Sequence, residues 1–479
     1  MSEKVILFGA STLGKVALEF LQRTDMGYEI IAFCDNDNRK WGTEFCGVPV
    51  ISPDQLAGYD CQIIITSQYD TEIIKQLFGL GIFRFSVFFH NQGQEMGEKE
   101  RYQIRKYDYN GVDLNRVNNR IVLRSVSNSG SNTFALYKLM PVDMCEQYEV
   151  ELVSDQERDE KYYYYLITSK TVVLTYPSAI DPSQINIQLW HGFPLKGMSY
   201  MSKSEGPGVE QNHLNWSKLD VIASYSQFYT TLMNACYGVS WRKYVVTGMP
   251  RNDFLFKADG RKILASILKQ DFRGKKILFY MPTFRRTIYG DANGSRDINY
   301  LFGLENFDDL SFDHFLDKHG IHMIVKLHPL EESLVVNDIL EKKLQNITVL
   351  TEQKLKEKNI ELYETINAAD LLITDYSSVY FDYLLLDRPI IYVPVDLEEY
   401  IKTRGLLLEP YDAWTPGPKC LDQARLEQEI IRNFTHPEAY SQERKTLCRI
   451  VHHYQDGNSS VRVWNLIDQL MRDDNPKMN

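Results

Sequence analysis

The segment Asp370-Leu-Leu-Ile-Thr-Asp375-Tyr-Ser377-Ser378-Val-Tyr-Phe-Asp382 reads as a buried strand, an acidic turn and two serines in the first turn of a helix. Unpaired amides, the positive end of the helix dipole and hydroxyls converge at such a point, which makes a seat for an anion without a metal. Asp375 or Ser377 acting only as a helix cap is the plainer alternative, and it uses the same donors. Outward from this segment the same alternation continues, with strands expected at Lys275 to Tyr280, His322 to Lys326, Ile347 to Leu350 and Ile390 to Val393. Helical stretches separate them, as in a doubly wound α/β domain.

Upstream, strands are expected at Ile121 to Leu123, Tyr148 to Leu152, Thr171 to Thr175, Ile185 to Leu189, Val221 to Ser224 and Lys243 to Val246. A loop at Ser125 to Ser131 and a helix from Thr133 to Met140 lie among them. The chain front repeats the pattern: a strand from Lys4 to Phe8, a turn at Gly9-Ala-Ser-Thr-Leu-Gly14 opening an amphipathic helix, and a strand Glu29 to Cys34 ending at Asp35. The expected division is a Rossmann-like domain over 1–95, a polar linker over 96–118, and α/β domains over 119–270 and 271–479. One or two terminal helices from Leu421 are expected to cross back onto an earlier domain. Tyr162 to Tyr165 is read as a loop or partly buried strand, and Tyr200 to Trp216 as a mobile acceptor-side loop.

At roughly 150 residues per domain, 479 residues suit about three folded units. A composition of 44% hydrophobic and 24% charged residues is that of an ordinary globular protein. The net charge of −11 argues against nucleic acid or an anionic bilayer as the main partner, since both reward basic surfaces. Seven cysteines without a CxxC pair suit reduced cytosol rather than a disulfide framework or zinc ribbon. Met1-Ser2-Glu3-Lys4 runs directly into an apolar strand, so no secretory leader is expected, and no apolar run approaches the ~20 residues that span a bilayer. A membrane-bound substrate would be met from the cytoplasmic side.

The turn at Gly9 and Gly14 is GxxxxG, with Ser11 where a dinucleotide fingerprint has its second glycine. It is read either as a nucleotide or nucleotide-sugar site with Asp35 on a ribose, or as a Rossmann-shaped assembly domain. Gln188-Leu-Trp190-His191-Gly192-Phe-Pro194-Leu-Lys196 places a histidine at the carboxyl edge of a sheet, where an imidazole can take a hydroxyl proton. Thr247-Gly248-Met-Pro250-Arg251-Asn252-Asp253 offers a guanidinium for phosphate, or a helix start capped by Asn252 or Asp253. Met281-Pro-Thr283-Phe-Arg285-Arg286 adds a hydroxyl and two further guanidiniums, and Lys326-Leu-His328-Pro329 ends another strand with a histidine. Asp396-Leu-Glu-Glu-Tyr400 and Arg404-Gly405 sit beside the third domain's sheet edge, as ligand contacts or a solvated loop. Neither an HExxH helix nor a P-loop occurs, and no catalytic metal and no ATP hydrolysis are expected.

With Trp190-His191-Gly192, Gly248-Met-Pro250-Arg251-Asn252-Asp253, Pro282-Thr283-Phe-Arg285, His328-Pro329, Asp375-Tyr-Ser377-Ser378 and Arg388-Pro389 in this order, residues 119 to 460 resemble the CDP-glycerol glycerophosphotransferases of teichoic acid synthesis. The resemblance implies a GT-B pair of Rossmann-like domains and transfer of a glycerol phosphate or related polyol phosphate from a CDP-activated donor to a hydroxyl, releasing CMP. It implies His191 as the base and His328, Ser377 and Ser378 as donor pyrophosphate contacts. Arg251, Thr283 and Arg285 match further motif positions, and Asp375 belongs with the donor-binding set. No cofactor is implied beyond the CDP-linked donor. The acceptor would be a glycan, a polyol-phosphate polymer or a lipid-linked primer, reached in the cytoplasm with peripheral membrane contact. Phe193 stands where the family usually has Thr, and Phe284 where it often has Trp; the first lies beside the implied base, so it bears on which acceptor is carried over from the family more than on the reaction. Residues 1 to 95 lie outside the match and look like the nucleotide-sugar-binding modules in front of some cell-surface sugar-modifying enzymes. The rival readings are a GT-B sugar-nucleotide glycosyltransferase and a non-catalytic nucleotide-binding assembly protein.

Overall fold

Apolar segments too short to be helices alternate with amphipathic helices, and the resulting strands assemble into three largely parallel sheets whose order decides where a ligand can lie. The computed structural model describes residues 2–23, 27–90, 102–176, 180–203, 208–285, 294–297 and 300–473. Two compact units contain them: 1–122 with 153–170, and 123–152 with 171–479.

The first sheet is built from β1 (Glu3–Phe8), β2 (Tyr28–Cys34), β3 (Glu44–Phe45), β4 (Val48–Ile51), β5 (Gln62–Ile65), β6 (Arg84–His90) and β7 (Tyr102–Asp108), in the order β3-β4-β2-β1-β5-β6-β7. β4-β2-β1-β5-β6 is a doubly wound parallel order with its switch point between β1 and β5. Val5, Leu7, Phe33 and Ile64 form its core against Ala17, Leu18 and Leu21 of the helix Thr12–Arg23. The stretch expected as a linker, 96–118, instead contains β7, which pairs antiparallel with β6. Its charged residues disguise the strand, but Tyr102 stacks on Phe88 at 5.0 Å and Tyr107 on Phe85 at 5.7 Å, cross-strand pairs that hold it to the sheet.

Tyr162 to Tyr165, read as loop or strand, opens the helix Tyr162–Thr168. Tyr163 is fully buried and donates to Asp70 Oδ2 at 2.7 Å; that oxygen also pairs with Arg158 at 2.6 Å. A buried aromatic with a satisfied hydroxyl anchors the helix, which the tyrosine run alone does not reveal.

The second sheet contains β8 (Val117–Ser125), β9 (Glu149–Ser154), β10 (Ser169–Leu174), β11 (Ile185–Gln188), β12 (Val221–Ser224) and β13 (Tyr244–Val246), ordered β13-β12-β11-β10-β8-β9. The third contains β14 (Lys276–Tyr280), β15 (Ile321–Val325), β16 (Ile347–Val349), β17 (Leu371–Thr374) and β18 (Ile390–Tyr392), ordered β16-β15-β14-β17-β18 and parallel throughout. Leu278, Met323, Val325, Leu371 and Ile373 centre its core.

Three helices close the chain, Gln423–Thr435, Ser441–Val451 and Ser459–Arg472. The last crosses back: Trp464 is buried and its indole donates to Leu136 O at 3.1 Å. Its first-turn amides at Ser459 and Ser460 each donate to the Asp253 carboxylate at 2.8 Å. Asp253 therefore caps a helix far along the chain, and a carboxylate suits that end of the helix dipole. Within the expected acceptor-side loop, Val209–Ser217 is a helix, because Trp216 is buried and stacks on Tyr237 at 3.9 Å.

On β15, His322 is fully buried; Gln270 Nε2 lies 3.3 Å from its Nδ1, and its Nε2 lies 3.0 Å from Thr348 Oγ1. An amide nitrogen can only donate, so the ring is neutral with its proton on Nε2. Burial, then Lys275, pushes its pKa down to about 4. The unfolded chain binds that proton near pH 6.5, so this contribution to stability is complete above 6.5 and falls by about 1.4 kcal/mol per unit as pH drops towards 4. His322→Gln should flatten that part of the acid slope in urea unfolding measured from pH 7 to 4.5; an identical slope in both proteins would contradict the burial.

Candidate active site

Open α/β sheets bind ligands beyond the carboxyl ends of the strands on either side of the switch point. In the third sheet that point falls between β14 and β17. The turns leaving these two strands are Met281 to Arg285 and Asp375 to Ser378. One carboxylate joins them: Asp375 Oδ1 accepts from the Thr283 amide at 2.7 Å, and its Oδ2 accepts from Arg285 at 2.8 Å. Arg285 is also held by Asp396, through two bonds of 2.8 Å, and donates to Thr283 O at 2.6 Å. Thr283 Oγ1 is buried and has no partner among the described residues. The next strand, β15, ends at Lys326-Leu327-His328, and the His328 ring stacks on Phe284 at 4.3 Å. Burial, then the cations Lys326 and Lys196, lowers the His328 pKa to about 4.

In the second sheet the switch point lies between β8 and β10. Thr175 and Tyr176 follow β10, and Leu189-Trp190-His191 follow the adjacent β11. Trp190 has φ +56°, a conformation that costs a bulky residue about 1–3 kcal/mol and persists only where its surroundings impose it. Here the Trp190 amide donates to Gln188 Oε1 at 2.9 Å, Asn132 Nδ2 donates to its carbonyl at 2.7 Å, and its ring packs on Trp216. The bend places His191 face to face with Tyr176 at 4.4 Å, with Nδ1 3.4 Å from Thr175 O. A carbonyl can only accept, so Nδ1 carries the proton and the Nε2 lone pair is left for a substrate. Burial, then Arg251, pushes the His191 pKa down to about 3.

The two sheets of this unit meet at these turns. A Cβ on Gly192 would lie 2.5 Å from Ser378 Oγ, so only glycine lets the histidine loop rest against the serines. Leu195 to Gly197 then pair with Gly405 to Leu407, through Gly197 N to Gly405 O at 3.2 Å and Leu407 N to Leu195 O at 2.7 Å. Phe193 is 1% exposed and packs on Phe381 at 4.5 Å and on Tyr225 and Tyr229, so the aromatic fills the seam.

His191, Asp375, Ser378, Thr283 and His328 are thus gathered on facing strand edges, with Ser377 beside Ser378. Neither serine hydroxyl has a protein partner among the described residues. The two arginines depart from expectation. Arg251 is buried, donating to Asp382 at 2.7 Å and Gly130 O at 2.8 Å beneath the Tyr363 ring, and Arg285 is enclosed by its two aspartates. Charges compensated in this way brace the turns that carry them, so neither guanidinium stands without a counter-charge. Arg286 lies outside the described residues. A residue given no role from the sequence is Lys196, whose charge acts on both His191 and His328. Its signal is its place in the histidine motif, five residues after His191.

Gly9, Ser11, Gly14 and Asp35 belong to the other unit, where they bond to one another's neighbours and to the adjoining strand ends at Cys34, Ile51 and Thr66. Asp35, expected on a ribose, accepts from the Ala10 and Asp37 amides at 2.8 Å each and pairs with Lys40 at 2.9 Å, so its carboxylate already holds the turn. A Cβ on Gly9, at φ +129°, would lie 2.8 Å from Thr66 O, and one on Gly14 2.0 Å from Gly9 O, so the glycines serve close packing of the turn. Ser11 Oγ reaches Thr66 O at 3.5 Å. Among the described residues no group of three His, Cys, Asp or Glu is placed to hold a metal ion.

Comparison with known proteins agrees with this geometry. Residues 1–87 match the family model described as C2185-like, N-terminal. The teichoic acid ribitol-phosphate polymerase TarK of Staphylococcus aureus is 26% identical over 428 residues, covering 82% of this chain and 78% of that protein. The ribitol-phosphate polymerase TarL of the same species is 30% identical over 303 residues, but the match spans 60% of this chain and only 49% of TarL. The teichoic acid glycerol-phosphate primase of Bacillus subtilis is 27% identical over 64% of this chain and 76% of its own length. The solved wall teichoic acid polymerase TagF superposes with a TM-score of 0.60 at 20% identity, over 74% of this chain and 90% of its own, and shares the GT-B fold. Residues 136–469, well over half the chain, match the model of the CDP-glycerol:poly(glycerophosphate) glycerophosphotransferases, and the protein belongs to that family.

Proposed function

We propose that the protein transfers a glycerol phosphate or related polyol phosphate from a CDP-activated donor to a hydroxyl of a cell-surface polymer or its precursor. The observation that carries this is the seating of the His191 loop, through Gly192, against Ser378, which sets the loop carrying a neutral imidazole against the serine turn at a sheet's switch point. The five-stranded sheet takes the donor side and the six-stranded sheet the acceptor side. The acceptor oxygen attacks the phosphorus bearing the polyol, its proton passes to His191 Nε2, the bond to the CMP oxygen breaks, and CMP leaves. Ser377, Ser378, the Thr283 hydroxyl and His328 orient the pyrophosphate, and no metal is needed in this scheme. The acceptor is a glycan, polyol-phosphate polymer or lipid-linked primer. No helix among the described residues is long and apolar enough to cross a membrane, and the proposed setting is the cytoplasm, with peripheral contact at the inner face of the cell membrane.

CDP-glycerol, CDP-ribitol and UDP-sugars, each offered with a panel of polyol-phosphate and short glycan acceptors and followed by mass spectrometry, test the reading. CMP release with a product heavier by one polyol phosphate is expected, at a rate unchanged by excess EDTA. UDP release would favour the sugar-nucleotide glycosyltransferase, and tight CDP binding without turnover a non-catalytic role.

A further inference from the structure

A donor pyrophosphate brings negative charge that must be met inside the site, yet most of the cations there are already neutralised. Arg251 is paired with Asp382, Arg285 with Asp375 and Asp396, Arg296 with Glu331, and Lys326 with Glu332. Lys196 differs. Among the described residues its amine has neither a hydrogen bond nor an ion pair, although it is half-buried. Its backbone is fixed by the antiparallel bridge to Leu406, and because side chains alternate across an extended segment, it points away from the side taken by the buried Leu195. The amine is therefore held at the seam of the two sheets, within electrostatic reach of His191 on one side and of His328, Asp375, Arg285 and Arg404 on the other.

We propose that Lys196 is the cation that meets the donor's phosphate groups, an assignment that rests on the transferase reading above. The surrounding charges support it. Burial comes first, opposed by Asp375 and reinforced by Arg404 and Arg285, and together these lower the amine to about 8. Half-neutral amines are unusual among lysines, and an arriving phosphate reverses the trend by favouring the ammonium. Donor binding near pH 8 then takes up a proton, and affinity declines as pH rises from 7 to 9 because the free amine loses the charge that binds.

The test is isothermal titration of CDP-glycerol and CDP-ribitol into the full chain, in buffers of differing ionisation enthalpy, at pH 7, 8 and 9. In the wild type, proton uptake is expected at pH 8. Lys196→Met should weaken binding by about 10- to 100-fold at pH 7, the range for losing a charge-assisted contact, and abolish the uptake. Lys196→Arg, which stays charged throughout, should bind within a few-fold of wild type at pH 7 with no decline up to pH 9. A lysine that only braced the seam would change none of the proton linkage. Wild-type binding with an unaltered Kd and uptake in Lys196→Met overturns the assignment, as does a loss confined to kcat. Failure of the wild type to bind either CDP-linked donor removes the transferase reading itself, and this assignment with it.

Discussion

His191→Ala is expected to lower turnover by about 10²- to 10⁴-fold, the range for a positioned proton acceptor, while leaving CDP-glycerol affinity within about threefold. The geometry separates these effects: Nε2 faces away from the Nδ1 contact with Thr175 O, and the donor-side hydroxyls of Ser377 and Ser378 stand on the opposite sheet. The pH dependence carries a second signature. In the free enzyme the ring is held near 3 by burial and by Arg251, so His191 is neutral throughout the physiological range. The acid limb of kcat/KM, which reports the free enzyme, therefore lies well below the ordinary histidine value of about 6.5. Bound phosphate charge opposes Arg251 and raises the ring's affinity for protons, so the acid limb of kcat lies at higher pH than that of kcat/KM. Steady-state kinetics from pH 4.5 to 8 would reject this role if the alanine variant kept even a third of wild-type turnover, or if kcat/KM showed a limb near 6.5 that disappeared with the histidine.

Strand edges are legible in this sequence for a simple reason. A parallel strand buried on both faces is an uninterrupted apolar run, and the turn after it must break that run with polar or conformationally special residues. His191, His328 and Asp375 all stand at that contrast, just past the ends of apolar strands. The chain front illustrates the limit: Gly9 and Asp35 satisfy the local pattern, yet Lys40 and the Ala10 amide occupy the carboxylate. Charge compensation was hidden for the same reason. Arg251 and Arg285 follow strand ends like true phosphate ligands, but Asp382 and Asp396 reach them from 131 and 111 residues away, and nothing local announces those partners. Lys196 is the converse, a residue inside the histidine motif whose amine no carboxylate pairs with among the described residues. β7 and the helix at Tyr162–Thr168 escaped because aromatic contacts between distant segments, not periodicity, decide them.

The structural role given to Arg251 leads to the largest expected loss of stability. Asp382 is fully buried; its Oδ2 accepts from Arg251 at 2.7 Å and from Tyr363 OH at 2.6 Å, and its Oδ1 accepts from Asn252 Nδ2 at 2.9 Å. Asp382→Ala leaves a guanidinium enclosed without its counter-charge, and removing one partner of such a pair costs about 3–5 kcal/mol. The denaturant midpoint should fall accordingly, and with it the seating of the Gly130 loop, whose carbonyl accepts from the same guanidinium at 2.8 Å. Replacing both partners, as Arg251→Met with Asp382→Leu, removes the buried charges together and should recover most of the lost stability. That double variant also separates bracing from electrostatics: because Arg251 depresses the His191 pKa, its loss should move the acid limb of kcat/KM to higher pH in a protein that is again well folded. A single variant within about 1 kcal/mol of wild type, or a double variant no more stable than the single, would show that the pair does not brace the seam and would reopen Arg251 as a phosphate ligand.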